Sequence, residues 1–173
     1  MAEYISVSQI SNYVGQEVTV KGWVYNRTDK GKLCFLLVRD GSGFVQCVAF
    51  KGDLEPEVFD RVSRLPQESS VIITGAVRED KRAPGLPGGY ELGVKQIEVV
   101  QEAGLDYPMS LKDHGPDFAL DNRHLWIRMQ SQWAILRVRV RVMKAVREYL
   151  DGQGFFNLDT PILTPAAAEG TTT

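Results

Sequence analysis

Between Glu17 and Val100 the chain alternates apolar and polar positions with period two. Val18, Val20, Gly22 and Val24 fall on one side, and Thr19, Lys21, Trp23 and Tyr25 on the other, the pattern of a half-buried strand. The same period recurs on both sides of Asp40-Gly41-Ser42-Gly43, a reversal signal in which glycine tolerates positive φ and Asp bonds its own backbone. A hairpin closed there opposes Arg39 to Phe44, Leu37 to Gln46 and Phe35 to Val48. Successive side chains point to opposite faces, so Phe35, Leu37, Arg39, Phe44, Gln46 and Val48 share one face, and Cys34, Leu36, Val38, Val45, Cys47 and Ala49 the other. The second set is wholly apolar and is assigned to the core. Ahead of the first strand, Ser6 or Ser8 can cap a short helix carrying Ile10 and Tyr13 and ended by Gly15. After the hairpin, Leu54, Val58, Val62 and Leu65 predict a helix over Asp53 to Leu65. Ser70 to Arg78 and Tyr90 to Val100 are two further strands, joined by a loop rich in Gly, Pro and charge.

Three strands, one helix and two strands is the order of a five-stranded Greek-key barrel of the oligonucleotide-binding (OB) type. Its ligands lie on strands two and three and on the loops after strand one and between strands four and five. The outer hairpin face, with Phe35, Arg39 and Gln46, suits an unpaired base: an aromatic to stack on, and a cation and an amide for its edges. A mixed outer face is also what a merely solvated hairpin shows. Two basic clusters, Arg27, Lys30, Lys32 with Arg39, and Arg78, Lys81 with Arg82, fall largely on the two ligand-side loops, which favours nucleic acid.

The pattern changes after Leu105. The stretch to Arg128 holds Pro, Gly, Asp and both histidines without a clear period and reads as a hinge. Met129 to Leu150 is a long helix with two apolar stripes, one of Trp133, Leu136, Val140 and Met143, the other of Ile135, Val138, Val142, Ala145 and Tyr149. Two stripes imply two packing partners, either two parts of one domain or a domain and a second subunit. The chain therefore divides into a barrel over 1–103, a hinge over 104–128 and the start of a second domain over 129–173.

Composition limits the partners. The formal charge of the 173 residues is −2, with 12 basic against 14 acidic side chains through Leu105 and 8 against 8 beyond it. No bulk positive field exists, so a nucleic acid must be held by a local patch. Two cysteines found neither a disulfide scaffold nor a metal site, and His114 and His124 have no ligand partners at metal spacing, so no metal is expected. In the hairpin register Cys34 and Cys47 are diagonal core neighbours, expected to be reduced. The first residues lack a secretory pattern and no apolar run is long enough to span a bilayer, so a cytoplasmic protein without membrane contact is expected.

The helix runs into Gly152-Gln153-Gly154-Phe155-Phe156-Asn157-Leu158-Asp159-Thr160-Pro161-Ile162-Leu163. A long helix, Gly-Phe, and an extended segment with one Pro before two apolar residues resembles the first signature motif of class II aminoacyl-tRNA synthetases, which implies that the long helix plus a strand after it are the start of an α+β catalytic domain, truncated at residue 173. With an OB barrel ahead of it, the chain is similar to the subgroup that charges tRNA with aspartate, asparagine or lysine. Gly22-Trp23-Val24, Arg39-Asp40-Gly41, Lys112-Asp113-His114-Gly115, Arg123-His124-Leu125-Trp126-Ile127-Arg128 and Glu169-Gly170-Thr171-Thr172 resemble the asparaginyl enzymes of bacteria. Aspartyl enzymes usually carry a Tyr-Leu-Asp-Leu-Arg type of hinge and Glu-Gly-Ala-Arg at the last position.

This resemblance implies roles for particular residues. Phe35 matches the aromatic that stacks on the middle anticodon base, Gln46 the amide that reads the anticodon, Arg27 a basic residue beside the anticodon stem, and Glu91 a carboxylate near the third anticodon base. Glu169 matches a loop glutamate that approaches the amino group of the bound amino acid, while Gly154, Phe155 and Pro161 belong to the motif that builds the dimer interface. The implied partners are the anticodon stem-loop of a tRNA and a second subunit. The full-length relatives use ATP and magnesium to activate asparagine. The second and third motifs, which clamp ATP, do not occur before Thr173, so the 173 residues alone are expected to be inactive and without a cofactor. Aspartate-tRNA ligase, and a free-standing OB protein binding RNA or single-stranded DNA, are the alternatives.

Overall fold

The computed structural model describes residues 2–163. In chain order these form β1 (Glu3–Tyr4), a 3-10 turn (Val7–Tyr13), β2 (Glu17–Asp29), β3 (Leu33–Arg39), β4 (Phe44–Phe50), α1 (Pro56–Val62), β5 (Ser70–Glu79), β6 (Gly85–Leu86), β7 (Tyr90–Gln101), α2 (Pro116–Asp121), a second 3-10 turn (Trp126–Arg128) and α3 (Gln130–Gly152). The chain separates into two compact units, Met1–Lys112 and Asp113–Thr173. The segment expected as a hinge is thereby divided: its first residues belong to the barrel unit, where Met109 is buried, and the rest holds α2 and the second 3-10 turn.

The five long strands of the first unit close a barrel. β2 pairs antiparallel with β3 and with β5, β3 with β4, and β5 with β7, while β4 and β7 are parallel. Closure removes the free edges that an open sheet would expose. The hairpin register is the expected one, with Phe35 opposite Val48, Leu37 opposite Gln46 and Arg39 opposite Phe44. Cys34, Leu36, Val38, Val45, Cys47 and Ala49 all lie in the core, beside Val18, Val20 and Val24 of β2 and Leu92 of β7. Both cysteines are free thiols. Burial pushes Cys34 up to about 11, with the nearby Arg27 charge opposing it. The fully enclosed Cys47 is raised by burial as well.

The turn between β3 and β4 is held by Asp40, and in more ways than its own backbone requires. Its Oδ1 accepts from Ser42 N at 2.7 Å, Ser42 Oγ at 2.7 Å and Gly43 N at 2.8 Å, while Oδ2 accepts from Val7 N at 2.9 Å. Ser42 Oγ in turn accepts from Ser8 N at 3.0 Å. Ser6 does occupy the N-cap position of the first 3-10 turn, but its side chain makes no capping bond; Asp40 and Ser42, from across the barrel end, take the free amides instead. Neither Gly41 nor Gly43 adopts positive φ. Glycine is needed at 43 for close approach, since a Cβ there would stand 1.8 Å from the Leu86 carbonyl oxygen of β6.

α1 is shorter than the predicted Asp53–Leu65, because Pro56 is accommodated only in a first turn, where its missing N–H costs nothing. Phe59 and Val62 bury its inner side in the barrel core, and Leu65, just past its end, is buried with them.

In the second unit, α3 spans the predicted helix, and most of both apolar stripes, including Ile135, Val138, Val140, Val142, Met143 and Tyr149, is exposed. Gly154 at φ 85 ends it: Gly154 N donates to Asp151 O and Phe155 N to Leu150 O, satisfying carbonyls the helix leaves free. Residues 155–163 form no strand among the described residues, and Phe155, Phe156, Leu158, Ile162 and Leu163 are exposed. The expected strand thus lacks the neighbour that a ladder requires.

Candidate nucleic-acid interface

The outer face of the barrel is built as two adjacent rungs, each crossing all five strands. One rung runs Asn26, Leu37, Gln46, Glu91, Arg78, and the next runs Thr28, Phe35, Val48, Gly93, Ala76. The first carries amides and charges. The second is a floor of one aromatic ring and small side chains. A base stacked on Phe35 would lie along that floor and turn its edge toward Gln46. Beside Val48 and Gly93 a cleft of about 540 Å³ opens, also lined by Phe50, Asp53, Arg78 and Lys95. The Arg78 guanidinium lies over Gly93, where a Cβ would come within 3.2 Å of its Cζ. Gln46 Nε2 donates to Glu91 Oε2 at 3.4 Å, so two of the residues singled out in the sequence are neighbours on adjacent strands.

Arg39 and Phe44, expected on this open face, are covered. Arg39 Nη2 donates to Glu68 Oε2 at 2.8 Å in a pair with only 14% and 6% of the side chains exposed. Its guanidinium also lies 5.9 Å from the Tyr25 ring centroid. Burial lowers the Arg39 pKa, and the neighbouring Tyr107 and Tyr25 counteract it. Phe44 is packed under Tyr25, edge to face with ring centroids 4.9 Å apart, and β6 pairs alongside it, Leu86 opposite Phe44. Alternation correctly assigned both residues to the outer side; a loop and a tyrosine from elsewhere in the chain then close over them.

Arg27 is placed differently from its neighbours. A bulge between Val24 and Asn26 shifts the β2–β3 register, so that Asn26 and Thr28 pair with Leu37 and Phe35, while Arg27 pairs with Leu36. Paired residues share a face. Asn26 and Thr28 therefore join the Phe35 side, and Arg27 points to the other side of this exposed ribbon end, where its charge acts on Cys34. Sequence reasoning passed over Asn26 and Thr28 because an unbroken period two puts Arg27 in their place; Asn26 as a β-breaking residue was the one available signal. Of the second basic cluster, Arg82 is tied to Asp80 by bonds of 2.9 and 3.1 Å, and its hydrogen bonds pull the Asp80 carboxyl below its ordinary range. Glu169 lies outside the described residues. Gly154, Phe155 and Pro161 follow the end of α3, well away in sequence from the rungs.

Residues 18–100 match the family of OB-fold nucleic acid binding domains, and residues 115–173 match the class II tRNA synthetases of the D, K and N group. An asparagine-tRNA ligase of Chloroflexus aurantiacus is 53% identical over 167 residues, covering 96% of this chain and 37% of that protein. One of Thermus thermophilus is 44% identical over 168 residues, covering 97% and 38%. The crystal structure of asparaginyl-tRNA synthetase from Pyrococcus horikoshii complexed with asparaginyl-adenylate superposes with a TM-score of 0.85 at 36% identity, over 99% of this chain and 39% of that one. The chain spans somewhat over a third of the length of the curated relatives it matches. With both families matched in tandem, and similarity to asparagine-tRNA ligases maintained along nearly its whole length, the chain belongs to the asparaginyl-tRNA synthetases, as their N-terminal region: an OB-fold domain and the start of the class II domain.

Proposed function

We propose that the barrel binds the anticodon loop of a tRNA on its two outer rungs, within a protein that joins asparagine to that tRNA. The observation that carries this is the pairing of a stacking floor, Phe35 over Val48, Gly93 and Ala76, with a hydrogen-bonding rung of Asn26, Gln46, Glu91 and Arg78 one step away. Stacking ignores base identity and the amide rung supplies it, a division of labour common to single-strand readers. Arg27, Lys30 and Lys32, at the exposed end of the β2–β3 ribbon, are suited to the phosphates on either side of the bases.

The α3 stripes and the apolar residues after Gly154 extend this reading to a homodimer, which would cover side chains such as Val138, Val142 and Tyr149. The asparagine chemistry requires ATP and magnesium. Among the described residues no group of three or more His, Cys, Asp or Glu side chains could hold a metal ion, so these residues do not fit that site and none of them is given a part in activation. No helix of the described residues is long and apolar enough to cross a membrane.

The test is fluorescence anisotropy with an anticodon stem-loop carrying GUU. Phe35→Ala should weaken binding about 5- to 150-fold, the equivalent of the ~1–3 kcal/mol that one stacked base contributes. Unchanged affinity would remove the rungs as the binding site.

A further inference from the structure

We propose that Glu91 is a positioning residue that fixes the side-chain amide of Gln46 in the one orientation that accepts uracil and rejects cytosine. The inference rests on the anticodon reading above and assigns a specificity device within it. β4 and β7 run parallel here, with Gln46 and Glu91 as direct register partners on the outer face, and Gln46 Nε2 donates to Glu91 Oε2 at 3.4 Å. The chemistry of the pair leaves no choice of orientation. A carboxylate only accepts hydrogen bonds, whereas a carboxamide has a donating and an accepting end, so the amide must turn its nitrogen toward Glu91. Arg78, the register partner of Glu91 on its other side, carries its guanidinium over Gly93 on the neighbouring rung, and the Glu91 carboxylate accepts from Gln46.

With one N–H of Gln46 committed to Glu91, the remaining N–H and Oε1 form the edge left for a base stacked on the adjacent Phe35 rung. That edge reads donor and acceptor. Uracil matches it, with a carbonyl to accept from Nε2 and N3–H to donate to Oε1. Cytosine opposes it at both atoms, because its N3 accepts and its exocyclic amine donates. A flipped amide would reverse the preference, and without Glu91 either orientation is open. The selectivity at the base read by Gln46 therefore depends on a residue that need not touch that base.

The experiment compares stem-loops bearing GUU, GCU and GUC, titrated by anisotropy against the 173-residue chain and its Glu91→Gln, Gln46→Ala and double variants. The replacement of Glu91 by its isosteric amide keeps the side-chain shape, and a ratio of affinities cancels the general gain from removing a negative charge. The unmodified chain should favour GUU over GCU by about 5- to 150-fold, the discrimination of one well-formed bidentate contact. Glu91→Gln should bring that ratio to within about threefold of unity while Phe35-dependent binding persists, and it should change the ratio no further once Gln46 is already Ala, as expected of a residue that acts only through another. If the GUU to GCU ratio survives Glu91→Gln, or if the effects of the two single variants on it simply add, the positioning role is wrong and the anticodon reading stands. If Glu91→Gln instead alters only the GUU to GUC ratio, Glu91 contacts its own base and the inference is likewise overturned. Absence of Phe35-dependent binding by the unmodified chain would overturn the anticodon reading itself, and this inference with it.

Discussion

Replacing Asp40 by Ala removes a single carboxylate that accepts four hydrogen bonds, and the structure gives the size of the loss. Ser42 is half-buried, so its N–H and hydroxyl can turn to water and cost little. The amides of Val7 and Gly43 cannot, because both residues are buried. Two stranded donors at ~1–3 kcal/mol each, partly relieved by local relaxation, place the destabilisation at about 3 kcal/mol. Asp40→Asn separates the contributions. Its Oδ1 can keep the three bonds within the turn, but its amide nitrogen then faces Val7 N–H, donor against donor, so only the long-range bond is lost, about 1–2 kcal/mol. Urea unfolding gives the two free energies if m is unchanged, and backbone amide exchange locates the loss: Val7 should lose protection in both variants and Gly43 only in Asp40→Ala. The reasoning is refuted if Asp40→Ala stays within about 0.5 kcal/mol of the parent, the range of an ordinary surface change, or if Asn costs as much as Ala.

Gly43→Ala should lower the unfolding midpoint in urea and break the β6 pairing, since the added Cβ would have to displace the Leu86 carbonyl; retained protection of the β4–β6 amides in hydrogen exchange would contradict this. Cys34 and Cys47 should resist alkylation at pH 8 in the native chain and react on unfolding, because burial favours their protonated form. A thiol pKa raised by folding adds stability that is complete below the unfolded value of about 8.5 and is lost as pH rises toward the folded one, so stability measured in urea should fall between about pH 8.5 and 11. A flat profile over that window in the wild-type chain, matched by a Cys34→Ala variant, would count against it.

Much of the barrel was legible because its information is local. The hairpin register follows from a four-residue turn and a period of two, and both lie within Phe35 to Val48. What was not legible came from distant partners. Nothing near Arg39 in the sequence announces Glu68, 29 positions on, or Tyr107 in the segment after the barrel. Asp40 was readable as a turn residue but not as the acceptor for Val7, because that bond exists only once the barrel end has closed. The bulge at Tyr25 left no break in the polar and apolar pattern, so it reversed the sides of Asn26 and Arg27 unseen. For the interface, the residue types were readable one by one, and the adjacency of Gln46 and Glu91 was not, since it depends on a parallel pairing between strands 45 positions apart.

The net charge of −2 and the pairing of individual cations together set how binding should respond to salt. A protein without a bulk positive field attracts a nucleic acid only through the phosphates it actually touches, and each contact on a single strand contributes about −0.7 to the slope of log affinity against log salt. Arg39 is committed to Glu68 and Arg82 to Asp80. Among the described residues no ion pair engages Arg27, Lys30, Lys32 or Arg78, which leaves these four around the rungs. Four contacts give a slope of about −3, and replacing any one of the four by Ala should make it shallower by about 0.7. Anisotropy titrations of the stem-loop at several salt concentrations measure both quantities. A slope steeper than about −5 would require phosphate contacts from cations that the structure shows already paired or placed elsewhere, and a slope near zero would mean that the basic ribbon end does not reach the backbone. Either result would separate the base-reading face from the charges assigned to it, because stacking on Phe35 and hydrogen bonding to Gln46 release no counterions and so contribute nothing to that slope.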